Sequence, residues 1–398
     1  MLKFLKNVHR RAIRYLRDGK IKGKISRDLR KREINNISVL QVTSEALKYT
    51  ESLSKRVNSV GEYYYSSSSE HSVLYASVYV VLLRDLVCDL DRLSNNEKVK
   101  WADYINNFQC EDGLYRDLYL ANEKAEVIDW WGWRHLTAHV VTALTILNSK
   151  TKVPFRILNK LYGKGKAEKW ILSLKWKNNA PNVSNAVMNY GVMLQYDRDF
   201  HNIKEASLAL TEIYDWLDKH QDAETGLWGN RPFDTPKKLS NGVQTAYHIW
   251  ILYFYDKKPI QYLEKCIDSC LETQNKFGGF GVTTNSSACE DIDSIDPLCR
   301  FYFMTNYRKA DIERVLRKAL SWILLNQNKD GGFVFRRFER FAYGHELMTT
   351  EPEESAMFPT WFRMLSLAYI SKVLPDLQIY QGCKFQFPKC PGYQFWNE

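Results

Sequence analysis

The chain has 398 residues, 45% of them hydrophobic and 14% aromatic, enough for a large core in one or two domains. The formal charge of +10 is carried by residues 1–33, where 13 Lys/Arg stand against three acids. The rest of the body is neutral, which excludes a nucleic-acid-binding globule. Eight scattered Cys with no CxxC pair exclude a disulfide scaffold, and reduced thiols are expected.

In the basic arm, Leu2, Leu5, Val8, Ala12 and Leu16 recur at helical spacing with cations between them. Such an amphipathic helix can lie on an anionic membrane surface, or it can cap the body as a solvated helix. No 7–15-residue apolar run follows the basic start, so it does not read as a signal peptide. The run "SVLYASVYVVLL" (72–83) is too short to span a bilayer. The expectation is a cytoplasmic protein, free or held at the inner membrane surface through residues 1–33.

An internal repeat then organises the chain. It reads "FQCEDGLYRD" (108–117), "HQDAETGLWG" (220–229), "TQNKFGGFGV" (273–282) and "NQNKDGGFVF" (326–335). The last three units follow clear amphipathic stretches, and in each unit the Gly suits a positive-φ turn at a helix end. The Gln can bond backbone groups left open there. A second, mostly apolar helix follows each unit. With two further apolar helices the starts fall near 70, 134, 185, 241, 290 and 353. Six apolar helices, each paired with an outer one, predict an all-α, six-hairpin (α/α)6 toroid. Its expected limits are residues 36–375, between a basic amphipathic arm (1–35) and an irregular tail (376–398).

Polar residues at the starts of the inner helices are candidates for binding substrate: Arg134, His135, His139, Asn189, Gln244, His248, Glu353 and Glu354, with Trp131 and Trp361 as aromatic walls. The stretch "ACEDIDSIDPLCRF" (288–301) holds four carboxylates within seven residues. Asp296 before Pro297 suits an N-cap followed by Pro at the first helical position. Glu290, Asp291 and Asp293 would then lie in the loop leading in, near the helix dipole. Their mutual repulsion should raise at least one pKa and make a proton donor.

The Gln–Gly–aromatic units resemble the repeats of the squalene cyclase and protein prenyltransferase superfamily, over roughly residues 60–375. The resemblance implies the same toroid. "DIDS" (291–294) is similar to the Asp-x-Asp-Asp motif of class II terpene cyclases, with Ser294 at the fourth position. This implies an isoprenoid- or lipid-active enzyme with Asp293 as acid, supported by Asp291 and Glu290. No cofactor is expected. A zinc site of the prenyltransferase kind would draw on Asp291, Cys289, Cys299 and His345, and magnesium is the other metal to consider. Two other functions fit the same ring. One is a carbohydrate-active hydrolase, lyase or epimerase of glycan assembly, with Asp293 and Glu353 or Glu354 as paired carboxylates and His139 or His248 as base. The other is a non-catalytic toroid that binds a lipid or a partner.

Overall fold

The computed structural model describes residues 18–30, 37–54, 60–177 and 179–396. The amphipathic spacing from Leu2 to Leu16 lies outside them. Residues 18–30 form helix α1, whose Ile21 and Ile25 pack with Trp322 and Leu325 on the outside of the body.

Among the described residues twelve further α-helices follow, alternately outer and inner. The outer ones are α2 (Val39–Ser52), α4 (Asn95–Asn106), α6 (Lys166–Ser173), α8 (Glu205–His220), α10 (Leu263–Glu272) and α12 (Lys309–Leu325). The inner ones are α3 (Leu74–Leu86), α5 (Trp133–Ile146), α7 (Ala180–Phe200), α9 (Pro236–Tyr255), α11 (Ala288–Met304) and α13 (Met357–Val373). Each inner helix packs on the next, and α13 packs back on α3, so the ring closes as an (α/α)6 toroid. Inner helices are buried nearly all round: in α3 only Arg84 is not. Outer helices bury one stripe, as in α12 with Ile312, Val315, Leu316, Ala319 and Ile323. Where α7 meets α9, a Cβ on Gly191 would lie 2.4 Å from Leu252 Cδ1, so the missing side chain permits the close approach. No helix among the described residues is long and apolar enough to cross a membrane.

The repeat has a structural task. Each Gln donates from Nε2 to the carbonyl of its own unit's Gly and to a carbonyl at or near the following outer helix. Gln109 bonds Gly113 and Val153, and Gln221 bonds Gly226 and Gln261. Gln274 bonds Gly278 and Val315, and Gln327 bonds Gly331 and Val42. The last staple ties the end of α12 to α2 across the seam of the ring. Gly331 has φ +92°, and a Cβ there would lie 2.1 Å from the Glu45 carbonyl oxygen.

The segment after α13 folds into the ring. Thr142 donates to the Pro391 carbonyl, and Gln394 Nε2 donates to the Leu82 carbonyl at 2.9 Å. Trp361 Nε1 donates to Gln394 Oε1, and Arg300 reaches the Phe395 carbonyl. These partners come from α3, α5, α11 and α13, so residues 390–395 plug the ring from one side.

The acidic stretch needs a correction. The N-cap of α11 is Ser287, not Asp296, and Ser287 forms a capping box with Glu290. Pro297 lies inside the helix rather than at its start. Glu290, Asp291 and Asp293 are therefore helical, on its first two turns. Asp296 is fully buried and paired with Arg300 at 2.6 Å.

Candidate active site

A cavity of about 340 Å³ lies where the inner helices begin. The first turns of α5, α7, α11 and α13 supply His135, Asn182, Asn185, Cys289, Asp293, Phe358 and Phe362. The middle of α9 adds Gln244 and His248. Phe341 and Tyr343 come from a short hairpin in which Phe341–Ala342 pairs antiparallel with Thr349–Thr350. Tyr393 of the plug completes the wall.

The four carboxylates have separate fates. Asp291 accepts from Arg363 (2.8 Å), Trp322 Nε1 (2.8 Å), Ser286 (2.7 Å) and the Phe280 amide (2.8 Å), so its oxygens are occupied in the core. Glu290 accepts from the Ser287 amide and hydroxyl and pairs with Arg336. Asp296 pairs with Arg300 and accepts from Tyr247. Asp293 alone lines the cavity. Burial, then the neighbouring charges of Glu290, Asp291 and Asp296, push its carboxyl well above the usual range. No cation or hydrogen-bond donor among the described residues offsets this.

Two imidazoles share the wall with Asp293, and their tautomers follow from their neighbours. Tyr75 donates its hydroxyl proton to the Trp131 carbonyl at 2.6 Å, so it accepts from His135 Nδ1 at 3.1 Å. Ser184 donates to the Pro181 carbonyl, so it accepts from His248 Nδ1 at 2.9 Å. Both rings then carry the lone pair on Nε2. Burial holds His135 well below its ordinary pKa and pushes His248 down to about 3, so both are neutral. Tyr343 accepts from Tyr79 at 3.0 Å, and its hydroxyl oxygen also lies 3.4 Å from His135 Nδ1, within reach of the same Nδ1–H.

The remaining expected residues are placed elsewhere. His139 is buried behind the wall, stacked on Tyr393 at 5.1 Å, and its Nε2 has no partner among the described residues. Asn189 donates to the Asp129 carbonyl, and Arg134 pairs with Asp129 at 2.6 Å. Glu353 pairs with Arg337, and Glu354 caps the amides of Ser68 and Glu351. Trp131 and Trp361 are buried in the core. Sequence reasoning missed Tyr343, Tyr393 and Asn182 because a hairpin, the tail and the first turn of α7 bring them in. Among the described residues no three His, Cys, Asp or Glu side chains are grouped to hold a metal, and the four residues nominated for zinc do not converge.

No protein-family model matches the chain, and no curated protein matches its sequence. Among solved structures the chain is similar to a GH76 alpha-mannanase from Bacteroides thetaiotaomicron, at 13% identity and a TM-score of 0.45. The alignment covers 86% of this chain and 97% of that one. A likeness this distant concerns the fold alone. The resemblance to squalene cyclases and prenyltransferases is overturned: no family model, theirs included, matches the chain, and the Gln–Gly units behind the resemblance are staples between outer helices. The isoprenoid-cyclase reading falls with it.

Proposed function

We propose that the chain is a carbohydrate-active enzyme that takes a proton from a sugar carbon, with Asp293 as acid and His135 or His248 as base. The observation that carries this reading is the composition of the wall: one carboxyl favoured in its protonated form, and two neutral imidazoles with Nε2 unprotonated. Glycosidases of the ordinary kind need two carboxyl groups flanking the bond, and Asp293 is the single carboxyl among the described lining residues. The anticipated partners Glu353 and Glu354 are engaged in the loop before α13.

In an elimination, the bound sugar carboxylate offsets the burial that weakens a nearby imidazole as a base, and its Nε2 takes the proton next to that carboxylate. The C–O bond breaks, and Asp293 gives its proton to the leaving oxygen. Without a leaving group the same carbanion takes the Asp293 proton instead, and the imidazolium and carboxylate left behind reset by exchange with solvent. Tyr343, Phe358 and Tyr393 offer faces for the C–H side of the ring, and Asn182, Asn185 and Gln244 can bind hydroxyls. The amides and imidazoles favour this polar substrate.

The test is incubation of the full chain in D2O with a panel of uronate oligosaccharides, neutral oligosaccharides and sugar nucleotides, followed by mass spectrometry. Deuterium on a ring carbon, or an unsaturated product, is expected, and Asp293→Asn should abolish it. Products that carry the elements of water across the cleaved bond, with no carbon-bound deuterium, would replace this reading with hydrolysis.

A further inference from the structure

A second cavity, of about 700 Å³, lies outside the ring at the ends of α6 and α8. Trp176 stacks on Trp216 at 5.1 Å, and Trp216 stacks on His220 at 3.9 Å, which makes a three-ring ladder along its wall. Lys175, Lys177 and Lys219 are exposed around this ladder, and no carboxylate among the described residues lines the cavity. Arg231 also lines it and is paired with Asp222 at 2.7 Å. The His220 Nδ1–H donates to the Trp216 carbonyl at 2.7 Å, which leaves Nε2 free. Trp216 is 9% exposed, and its Nε1–H has no acceptor among the described residues.

We infer that this cavity is a second binding site, for a sugar ring bearing an anionic substituent such as a uronate or a phosphate. An aromatic face takes the C–H side of a pyranose, and the exposed ammonium groups, which pair with no carboxylate among the described residues, take the anion. A single-stranded nucleic acid also stacks on aromatic rings, but it needs cations tracking several successive phosphates, and the body beyond residues 1–33 is neutral overall. The site also adjoins the central cavity along the chain: residues 174–177 line the one, and Asn179, Pro181 and Asn182 line the other. The inference stands on this outer cavity and does not depend on the acid–base chemistry proposed for Asp293.

The experiment titrates the full chain with a galacturonate tetrasaccharide, following tryptophan fluorescence and calorimetry. Its methyl ester, glucose 6-phosphate, inorganic phosphate and a short single-stranded oligonucleotide are run in parallel. Saturable binding of the tetrasaccharide or the sugar phosphate is expected, with fluorescence quenching. Weakening of at least tenfold is expected in the triple variant Lys175→Gln/Lys177→Gln/Lys219→Gln, which alters exposed side chains alone. All titrations are run in the Asp293→Asn background, so that turnover at the central cavity does not consume the tetrasaccharide. The proposal is overturned if neither anionic sugar saturates, or if the triple variant binds as tightly as the parent. It is equally overturned if the methyl ester, inorganic phosphate alone or the oligonucleotide binds as well as the anionic sugars.

Discussion

Asp293→Asn should stabilise the fold, and by more as the pH rises. The folded protein holds the Asp293 proton more tightly than the unfolded chain does, because burial and three nearby carboxylates disfavour the charge. Between the ordinary carboxylate value of 3.8 and the folded value, the native state therefore binds more protons, and stability falls as pH rises. The slope is about 1.4 kcal/mol per pH unit for one such group, and it levels off above the folded pKa. An amide of the same shape has no proton to lose. Groups common to both proteins cancel in the difference, which isolates this carboxyl and its coupling to Glu290, Asp291 and Asp296. The assay is urea unfolding of both proteins from about pH 4 to about pH 8, with stability taken from midpoint and slope. The two should be close at the acid end and separate steadily above it. A difference that stays flat across this range, or shrinks, refutes the argument. A side chain that costs stability and makes no internal bond is what a catalytic acid should look like.

Other expectations concern the frame around the site. Arg363→Met strands Asp291 in the core and should cost about 3–5 kcal/mol, with partial recovery in Arg363→Met/Asp291→Asn; a loss of below about 1 kcal/mol in urea unfolding would remove the pair from the core's support. Gln327→Ala deletes two hydrogen bonds at the ring seam and should cost about 1–3 kcal/mol; Gly331→Ala should cost more, because its Cβ meets the Glu45 carbonyl. His135, His139 and His248 stay neutral in the fold, so below 6.5 the unfolded chain gains protons that the native state does not. Stability should then fall with acid by up to roughly 4 kcal/mol per pH unit for the three together, and His→Gln at one position should flatten the curve by about a third.

The ring was legible because it is written twice, in the Gln–Gly units and in the apolar helices between them. The site was legible where a polar residue interrupts an apolar inner helix near its start, as at Asp293, His135, Gln244 and His248. The same signal also marked Asn189 and His139, which face the core, because helical position does not tell a cavity wall from the layer behind it. The start of α11 was misread because Asp296-Pro297 has the form of a cap, while the working capping box, Ser287 with Glu290, stands nine residues earlier. Tyr343 and Tyr393 carried no local signal, since each reaches the wall through contacts distant in sequence.

The staple between Gln327 and Val42 joins residues 285 apart. The other staples join residues about 40 to 45 apart, so five-sixths of the circle can assemble between neighbours, as in a solenoid. The seam is different: the loop-closure entropy of nearly the whole domain must be met before any contact there stabilises it. Folding should therefore pass through an open horseshoe that has its hairpins but no enclosed centre. The cavity would then be the last part to form, arising when α13 meets α3 and Tyr393 settles against His139.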